Sequence, residues 1–367
     1  DGKDHQSCQF LSKRAPDESH EFTWKEVTTT RGGELAEILG DQLRSVDSLV
    51  VKGNVNDKDF HAMWDASLYG YLSVINLKNA VLENNAVPDT AFFHENEQYE
   101  GSSHEIFYYI GLRKIIFPEG LEKIGEGAFY QASALRQVNF PSTLRYIGDF
   151  AFNATKLEMN QLVIPEGVEE INQYAFAFCR KLKAQVTLPS TIKKIGEWAF
   201  YACPITSINL PEGLESLGSL AFWDCDLREV SIPSSCHEFN EGWQFGFNRN
   251  LEKMHLPEGM TEIPDHFAVD CFRLREVNFP HTLKHIGEKA FSLCISLKNV
   301  DLPLGMQSLG EEAFSELEAL EQIVFPASMK SLGKNSCSYW KNIKRIYCAA
   351  MEPPVCDPTD GGVFSGF

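Results

Sequence analysis

Apolar residues alternate with polar ones in a short segment that recurs every 22 to 24 residues over most of the chain. In ten copies a proline follows the segment, and the residues one and three places before that proline are always apolar. The ten prolines are Pro118, Pro141, Pro165, Pro189, Pro211, Pro233, Pro257, Pro280, Pro303 and Pro326. Because proline cannot donate to a β-ladder and readily opens a turn, the pattern predicts one short strand per repeat, ended by the proline.

The residues after each proline repeat as well. The sixth is always apolar, the seventh is Gly in seven of ten copies, and an Ala-Phe pair stands at the tenth and eleventh positions in seven. Asn172, Asn240 and Pro264 replace the glycine in the other three. The Gly and Asn choices suggest a turn with a positive φ angle. The Ala-Phe pairs, such as Ala199-Phe200, are predicted to be wedged into the core.

A unit of about 23 residues is too small to bury its own apolar face, so the units must stack on one another. Stacking places the short strands in a parallel sheet on one side of the fold and compact turns on the other. The pattern therefore predicts a repeat solenoid. It also predicts that residues of the alternating register, such as Val138, Phe140, Val230 and Ile232, are buried in one continuous parallel sheet.

The repeat unit resembles a known family. The stretch Pro118 to Phe129, Pro-Glu-Gly-Leu-Glu-Lys-Ile-Gly-Glu-Gly-Ala-Phe, followed by Leu135 and Val138, is similar to the BspA-type leucine-rich repeat of bacterial cell-surface proteins. The resemblance implies an α/β repeat solenoid, a right-handed leucine-rich-repeat superhelix with a parallel sheet on one face and short helical or irregular turns on the other. It further implies a surface location and adherence to host proteins or other cells.

The regular repeats predict four segments. Residues 1–33 are a polar N-terminal leader or tether, and residues 34–116 are degenerate repeats with a capping helix and a surface loop over 94–104. Residues 117–348 are the regular repeats, and residues 349–367 are an irregular C-terminal part-repeat, either a cap or a cut end. The chain begins at Asp1 without an export signal, which fits a mature product whose signal was removed or a cloned fragment.

Composition excludes several classes of protein. With 43% hydrophobic residues and 26 Phe, the chain has too much apolar surface to remain disordered. Its longest apolar stretch, 106–117, is too short to span a membrane and contains Arg113 and Lys114. A net charge of -18 opposes binding to nucleic acid.

Five of the ten cysteines share one position, fourteen residues after the repeat proline: Cys179, Cys203, Cys225, Cys271 and Cys294. Other repeats carry mostly apolar residues there, namely Ala132, Thr155, Phe247, Leu317 and Trp340. A ladder of buried, reduced thiols is the favoured interpretation, and the family resemblance also implies unpaired thiols. Disulfides between neighbouring rungs stay possible. The pairing of Cys8, Cys236, Cys337, Cys348 and Cys356 is open.

No sequence motif indicates an enzyme, a metal or a cofactor. His281 and His285 have a spacing that can bind metal on a helix, but here they straddle a turn, so exposed polar positions are favoured. Asn54, Asn56, Asp57 and Asp59 resemble part of a calcium loop but lack its glycine and closing glutamate. They are better explained as an N-cap for a helix over 60–64.

The outward register of the sheet supplies the main candidate binding residues. It is rich in amides and short polar groups, and its most contiguous block is Gln137, Asn139, Gln161, Gln185, Thr187 and Asn209. Such a face can hydrogen-bond a peptide or a glycan, or it can be a solvated sheet without a ligand.

A second candidate lies in the sixth repeat, where Trp243, Phe245 and Phe247 replace the Ala-Phe pair. These aromatic residues either repack the core locally or form an exposed patch for a partner.

The sequence thus predicts a non-enzymatic, extracellular binding or adhesion module on a bacterial cell surface, without cofactor or metal, whose partner is a host or neighbouring-cell protein or glycan. The alternative is a structural spacer or scaffold segment of a larger envelope protein, with no ligand of its own.

Overall fold

A computed structural model describes residues 20–93, 110–356 and 362–366. Cys8, residues 1–19 of the predicted tether and the 94–104 loop lie outside the described residues. By its internal contacts the chain divides into two compact units, Asp1–Met159 and Asn160–Phe367.

The first unit contains two helices and seven strands among its described residues. The helices are α1 (Leu35–Leu39) and α2 (Asp57–Tyr69), with 3-10 turns at Gly40–Ser45 and Glu83–Asn85. The strands are β1 (Trp24–Thr29), β2 (Ser48–Val55), β3 (Val74–Leu82), β4 (Ala86–Val87), β5 (Lys114–Ile116), β6 (Lys123–Ile124) and β7 (Tyr146–Ile147). β1, β2, β3 and β5 form one parallel sheet, while β4 pairs with β6 and β6 with β7. Because β1 lies inside segment 1–33, the predicted tether reaches too far into the folded part.

Helix α2 is capped by the group of polar residues that the sequence predicts, but it extends beyond the predicted 60–64 at both ends. Asn56 is its N-cap and accepts a hydrogen bond from the Lys58 amide, while the Asp59 carboxylate accepts from the Asn56 amide. The buried Asp59 also accepts from the amides of Gly33 and Leu35. These polar residues therefore cap and anchor a helix.

The second unit contains seventeen strands among its described residues, each two to four residues long. They are β8 (Gln161–Val163), β9 (Glu170–Ile171), β10 (Gln185–Thr187), β11 (Lys194–Ile195), β12 (Ser207–Asn209), β13 (Ser216–Leu217), β14 (Glu229–Ser231), β15 (Glu238–Phe239), β16 (Lys253–His255), β17 (Glu262–Ile263), β18 (Glu276–Asn278), β19 (His285–Ile286), β20 (Ser308–Leu309), β21 (Gln322–Phe325), β22 (Ser331–Leu332), β23 (Arg345–Cys348) and β24 (Val355–Cys356). All of the pairings are parallel between successive turns, which makes this unit a parallel-sheet solenoid, as predicted.

Most turns of this unit contribute to three hydrogen-bonded ladders, of which the sequence predicts one. The first is formed by the strands before the prolines, such as β8, β10 and β12. The second is formed by two-residue strands five and six places after the proline, such as β9, β11 and β13. The third runs through the Ala-Phe segments, where the amide of Phe176 donates to the Ala199 carbonyl at 2.9 Å.

The prediction of one continuous parallel sheet is wrong. No strand forms at 137–139 or at 299–301, although Gln137 makes an isolated bridge to Lys114. Val230 and Ile232 are buried as predicted, but Val138 and Phe140 are only half-buried. At 137–139 the side-chain oxygen of Asn139 accepts the Phe117 amide at 2.7 Å. In other turns a main-chain carbonyl accepts this amide, as when Ile164 donates to the Thr187 carbonyl.

The glycine that stands seven places after most of the prolines has a different role from the predicted one. Gly196 and Gly218 do not have positive φ angles, but a Cβ at Gly218 would lie 2.4 Å from the Glu197 amide nitrogen. Glycine is therefore required because successive turns approach closely here. Positive φ angles occur nine and thirteen places after the proline, at residues such as Tyr174 and Phe178.

The aromatic residues of the Ala-Phe pairs are buried, as predicted, and stack along each unit. In the second unit the rings of Phe176 and Phe200 lie 5.3 Å apart, and those of Phe200 and Phe222 lie 5.6 Å apart, with nearly parallel planes. In the first unit Phe129 and Phe152 stack at 5.3 Å. Stacked phenylalanine rings from neighbouring turns thus form a column inside each unit.

Candidate binding surface

The predicted outward residues of the second unit form one uncharged group on β8, β10 and β12. Gln161 is aligned with Gln185 and Ser207, and Val163 is aligned with Thr187 and Asn209. We call these six exposed residues the amide patch. Between them Leu162, Val186 and Ile208 point into the core.

The amide patch has unused hydrogen-bonding capacity. Within the described part of the chain, the side chains of Gln161, Gln185, Thr187 and Asn209 make no hydrogen bond. Each amide carries donors and an acceptor, and neighbouring parallel strands lie about 4.8 Å apart. The patch therefore offers a regular array of donors and acceptors to a neutral polar ligand.

The other two predicted residues lie in the first unit, and one of them is not available for a ligand. Gln137 is exposed, beside a shallow depression of about 440 Å³. Asn139 is half-buried, and besides accepting the Phe117 amide it donates to the Phe117 carbonyl at 3.2 Å. The prediction of a free amide at Asn139 is wrong, because its side chain replaces a main-chain rung. Asn278 bonds Leu256 in the same way.

The sheet formed by β14, β16 and β18 differs from the amide patch, because charges line it. Glu229, Lys253 and Glu276 are aligned across the three strands, and the Lys253 Nζ lies 3.0 Å from a Glu276 carboxylate oxygen. This hydrogen bond raises the pKa of Lys253. His255 lies 3.2 Å from Glu229. These exposed ion pairs satisfy one another and contribute little to stability.

In the sixth repeat the aromatic residues mainly repack the core. Phe245 is fully buried and lies 5.6 Å from the ring of Phe222 in the core column. It occupies the place of the usual phenylalanine because this repeat has one extra residue before Trp243, which the fixed-spacing alignment missed. The prediction of Phe245 as a partner-binding residue is therefore wrong.

Trp243 and Phe247 are half-buried and contact other rings. Trp243 stacks on His266 with ring centres 3.6 Å apart, and both Trp243 and Phe247 contact Trp223. Trp223 lies directly over Gly246, where an added Cβ would come within 2.1 Å of its ring. Glycine thus makes the space that Trp223 fills, which identifies this cluster as packing.

The five cysteines of the predicted ladder are buried, as are Cys236 and Cys337, and none of the seven forms a disulfide within the described residues. Thiols at this position donate to a carbonyl of the preceding turn, as Cys203 does to Phe176, Cys225 to Phe200, Cys271 to Phe245 and Cys294 to Ala268. Burial raises the pKa of these four thiols. Cys348 and Cys356 are free and exposed.

The sequence analysis did not predict the role of the position that the cysteine ladder occupies. In the sixth repeat, after the extra residue is allowed for, the position belongs to Asn248 and not to Phe247. The Asn248 side-chain nitrogen donates to the Phe222 carbonyl at 2.7 Å, and the Trp340 ring nitrogen donates to Phe314 at 2.7 Å. The Cys, Asn and Trp side chains at this position share a buried donor, which is absent only where Ala132 and Leu317 stand.

In the described part of the chain, no three His, Cys, Asp or Glu side chains lie close enough together to hold a metal ion. His281 contacts Glu258 at 3.0 Å, whereas His285 contacts Ser308 at 2.7 Å. The described residues also include no helix long and apolar enough to cross a membrane.

Comparison with known proteins identifies the family. The sequence matches the BspA type leucine rich repeat region, in six copies, over residues 102–186, 183–292 and 266–351. These ranges cover well over half of the chain, so the chain belongs to the BspA-type leucine-rich-repeat family. A search of curated proteins found no match.

Several solved structures are similar to this chain. A leucine-rich repeat protein from Bacteroides ovatus is 23% identical, with a TM-score of 0.57 over 78% of this chain and 73% of that chain. A leucine rich cell surface protein from Faecalibacterium prausnitzii is 21% identical, with a TM-score of 0.40 over 73% of this chain and 83% of that one. The Treponema pallidum (T. pallidum) leucine rich repeat protein is 29% identical, with a TM-score of 0.40 over 44% and 77%. At this distance the first similarity supports the fold alone.

Proposed function

We propose that this protein is a non-enzymatic binding or adhesion module displayed on a bacterial cell surface, and that it holds a neutral polar segment of a protein or glycan on its amide patch. Its family consists of bacterial surface proteins, and leucine-rich-repeat solenoids are generally interaction scaffolds without catalytic activity. The family thus supports a role in binding, and we propose the amide patch as the surface that contacts the ligand.

One observation carries the proposal. The side chains of Gln161, Gln185, Thr187 and Asn209 are exposed and lack hydrogen-bond partners within the described residues, whereas the charged side chains on β14, β16 and β18 pair with one another. A neutral ligand can therefore bond the amide patch without first breaking an ion pair.

Rigidity favours binding at this surface. The backbone of the patch is fixed by parallel pairing, and the inward residues of its strands, Leu162, Val186 and Ile208, are buried. A ligand that bonds several amides at once pays no cost for ordering the strands. Many individually weak contacts can then give useful affinity.

The test is a protein-array and glycan-array screen of three purified forms of the full chain. These are the wild type, a patch variant with Gln161→Ala, Gln185→Ala and Asn209→Ala, and a control variant with Glu229→Gln, Lys253→Gln and Glu276→Gln. The control has the same number of changes on strands of the same unit. Circular dichroism checks that all three forms fold.

We expect spots that the wild type and the control capture and the patch variant does not. Capture that all three forms share would place recognition elsewhere on the protein. No reproducible capture by any form would support the alternative role of a structural spacer.

A further inference from the structure

The second ladder of the second unit follows one hydrogen-bonding rule in most turns. The amides four and five places after a proline donate to the carbonyl four places after the previous proline, as Lys193 and Lys194 do to Glu169. The amide seven places after a proline donates to the carbonyl six places after the previous one, as Gly196 does to Ile171. Three amides per turn thus tie each turn to the one before it.

This rule fails between the sixth and seventh repeats. Within the described residues, β15 and β17 are not paired, and no hydrogen bond joins 237–240 to 261–264. The amides of Thr261 and Glu262 and the carbonyls of His237 and Phe239 are therefore left without the partners that the rule provides. At the seventh place stands Pro264, which has no N–H to donate.

The break is local. On one side of it β14 and β16 pair through Val230 and Met254. On the other side the third ladder continues, because the amide of Phe245 donates to the Phe267 carbonyl at 2.9 Å. The two turns are held together on both sides, and only the second ladder is open between them.

A cleft of about 450 Å³ lies at the break. It is lined by Ser234, Cys236, His237, Phe239, Pro257, Gly259, Met260, Thr261, Glu262 and Pro264. Cys236 occupies a position where several other repeats have leucine, so a smaller side chain leaves part of the space open. The volume lies in the range of ligand-binding pockets, about 300 to 1,000 Å³.

Glu262 lines the cleft, and Glu238 stands beside the lining residues His237 and Phe239 in the turn before it. Glu238 and Glu262 both stand five places after their prolines and are exposed, and neither forms an ion pair within the described residues. At the same position of other turns, Glu170 and Lys194 form a salt bridge at 2.7 Å. Like charges facing each other across a closed ladder would be unfavourable, and a cation between them removes that cost.

We propose that this cleft is a second binding site, which takes an extended peptide segment carrying a lysine or arginine. The backbone of the peptide supplies donors for the carbonyls of His237 and Phe239 and acceptors for the amides of Thr261 and Glu262. Its basic side chain lies between Glu238 and Glu262. An apolar neighbour in the peptide contacts Cys236, Phe239 and Met260. Strand addition at unpaired backbone is an established mode of peptide recognition.

Hydrogen exchange and a titration test the site on the full chain. The probe is an acetylated and amidated pentapeptide of alternating lysine and valine. We expect the amides of Thr261 and Glu262 to exchange at least about tenfold faster than those of Lys284 and His285, which donate to the Thr261 carbonyl, because only the latter pair is bonded. Saturation with the peptide should slow exchange at Thr261 and Glu262 selectively.

Two altered peptides separate backbone pairing from charge attraction. A version with N-methylated backbone amides keeps the charge but loses its donors, and a version with glutamate for lysine keeps the donors but reverses the charge. Both should bind at least about tenfold more weakly. Equal binding of the N-methylated peptide, or no binding of the parent peptide, would overturn the proposal.

Protein variants test the same site independently. Pro264→Gly supplies the missing amide and should close the ladder, and Cys236→Leu should fill the cleft; each is expected to weaken peptide binding at least about tenfold. Glu170→Gln, at the same position of another turn, is the matched control and should leave binding unchanged. Peptide binding that survives both cleft variants contradicts the site. The patch variant should still bind the peptide, so failure of the amide patch and failure of the cleft are distinguishable.

Discussion

One position of the repeat is occupied by different residue types that make the same hydrogen bond. The pattern of apolar residues in the sequence does not reveal this bond. At the position that follows the Ala-Phe pair by three residues, Cys225, Asn248 and Trp340 each donate from the side chain to a carbonyl of the preceding turn. That carbonyl is flanked by buried phenylalanines, so leaving it unpaired is costly. A cysteine fits because it is small and apolar and still carries a weak donor.

Replacement of Cys225 separates packing from hydrogen bonding. Cys225→Ala removes the donor to the Phe200 carbonyl and should lower the free energy of unfolding by about 1 to 3 kcal/mol. Cys225→Ser keeps a donor of similar size and should cost clearly less. Urea denaturation of the two variants and the wild type measures both values, and equal costs would show that this hydrogen bond does not stabilise the fold.

Thiol reactivity should divide the described cysteines into two groups. Burial raises the pKa of Cys236 and Cys337 to about 12, whereas Cys348 and Cys356 are exposed. At pH 8 we expect rapid alkylation of Cys348 and Cys356 and slow alkylation of the seven buried thiols until denaturant is added, as read by peptide mass spectrometry. Fast reaction at Cys203 or Cys225 in native protein would contradict the buried ladder.

The same shifts set a pH dependence. The folded state keeps these thiols neutral, while unfolded thiols ionise near pH 8.5. The contribution of these buried thiols to the free energy of unfolding is therefore complete below about pH 8.5 and is lost as the pH rises towards about 12. The urea midpoint should fall over that interval.

At the scale of elements, the apolar period predicted the strands and the core but not the other two ladders. The alternating apolar residues around Val230 and the Ala-Phe pairs are buried. Burial requires apolar side chains at fixed positions, which can be recognised in the sequence. The second ladder has strands of two residues, such as β11, which are too short to alternate. The third ladder is formed by turn backbone with positive φ at residues such as Trp198, which no local preference indicates.

The candidate site was predictable to the same extent. The exposed amides of Gln161 and Gln185 follow from the register of their strands. The engagement of Asn139 does not, because it depends on a side chain replacing a main-chain acceptor. The open ladder at Thr261 was equally hidden, although Pro264 in place of glycine was its one visible signal.

The phenylalanine column should dominate the stability of its unit. Phe200 is fully buried between Phe176 and Phe222. Phe200→Ala should lower the free energy of unfolding by about 3 to 5 kcal/mol, because it removes a large buried ring and leaves a cavity. Val163→Ala, at a side chain that is 53% exposed, is the control and should change it by less than about 0.5 kcal/mol. A denaturant midpoint unchanged by Phe200→Ala would contradict the column.

For the whole molecule, the net charge of -18 and the neutrality of the amide patch make different predictions about salt. Long-range attraction speeds association only with a basic partner, and that effect falls as salt is added. Hydrogen bonds from Gln161, Gln185 and Asn209 carry no net charge and should be nearly independent of salt. The salt dependence of the affinity therefore distinguishes recognition by neutral hydrogen bonds from recognition by charge.

The most direct test is an equilibrium titration of the wild type and the patch variant with the ligand that the arrays return, at about 0.05 M and about 0.5 M NaCl. We predict that the wild-type Kd changes less than about threefold between the two salt concentrations, and that the variant with Gln161→Ala, Gln185→Ala and Asn209→Ala binds at least about tenfold more weakly at both. A variant Kd within about twofold of the wild-type value, or a wild-type Kd that rises steeply with salt, would contradict recognition by the amide patch.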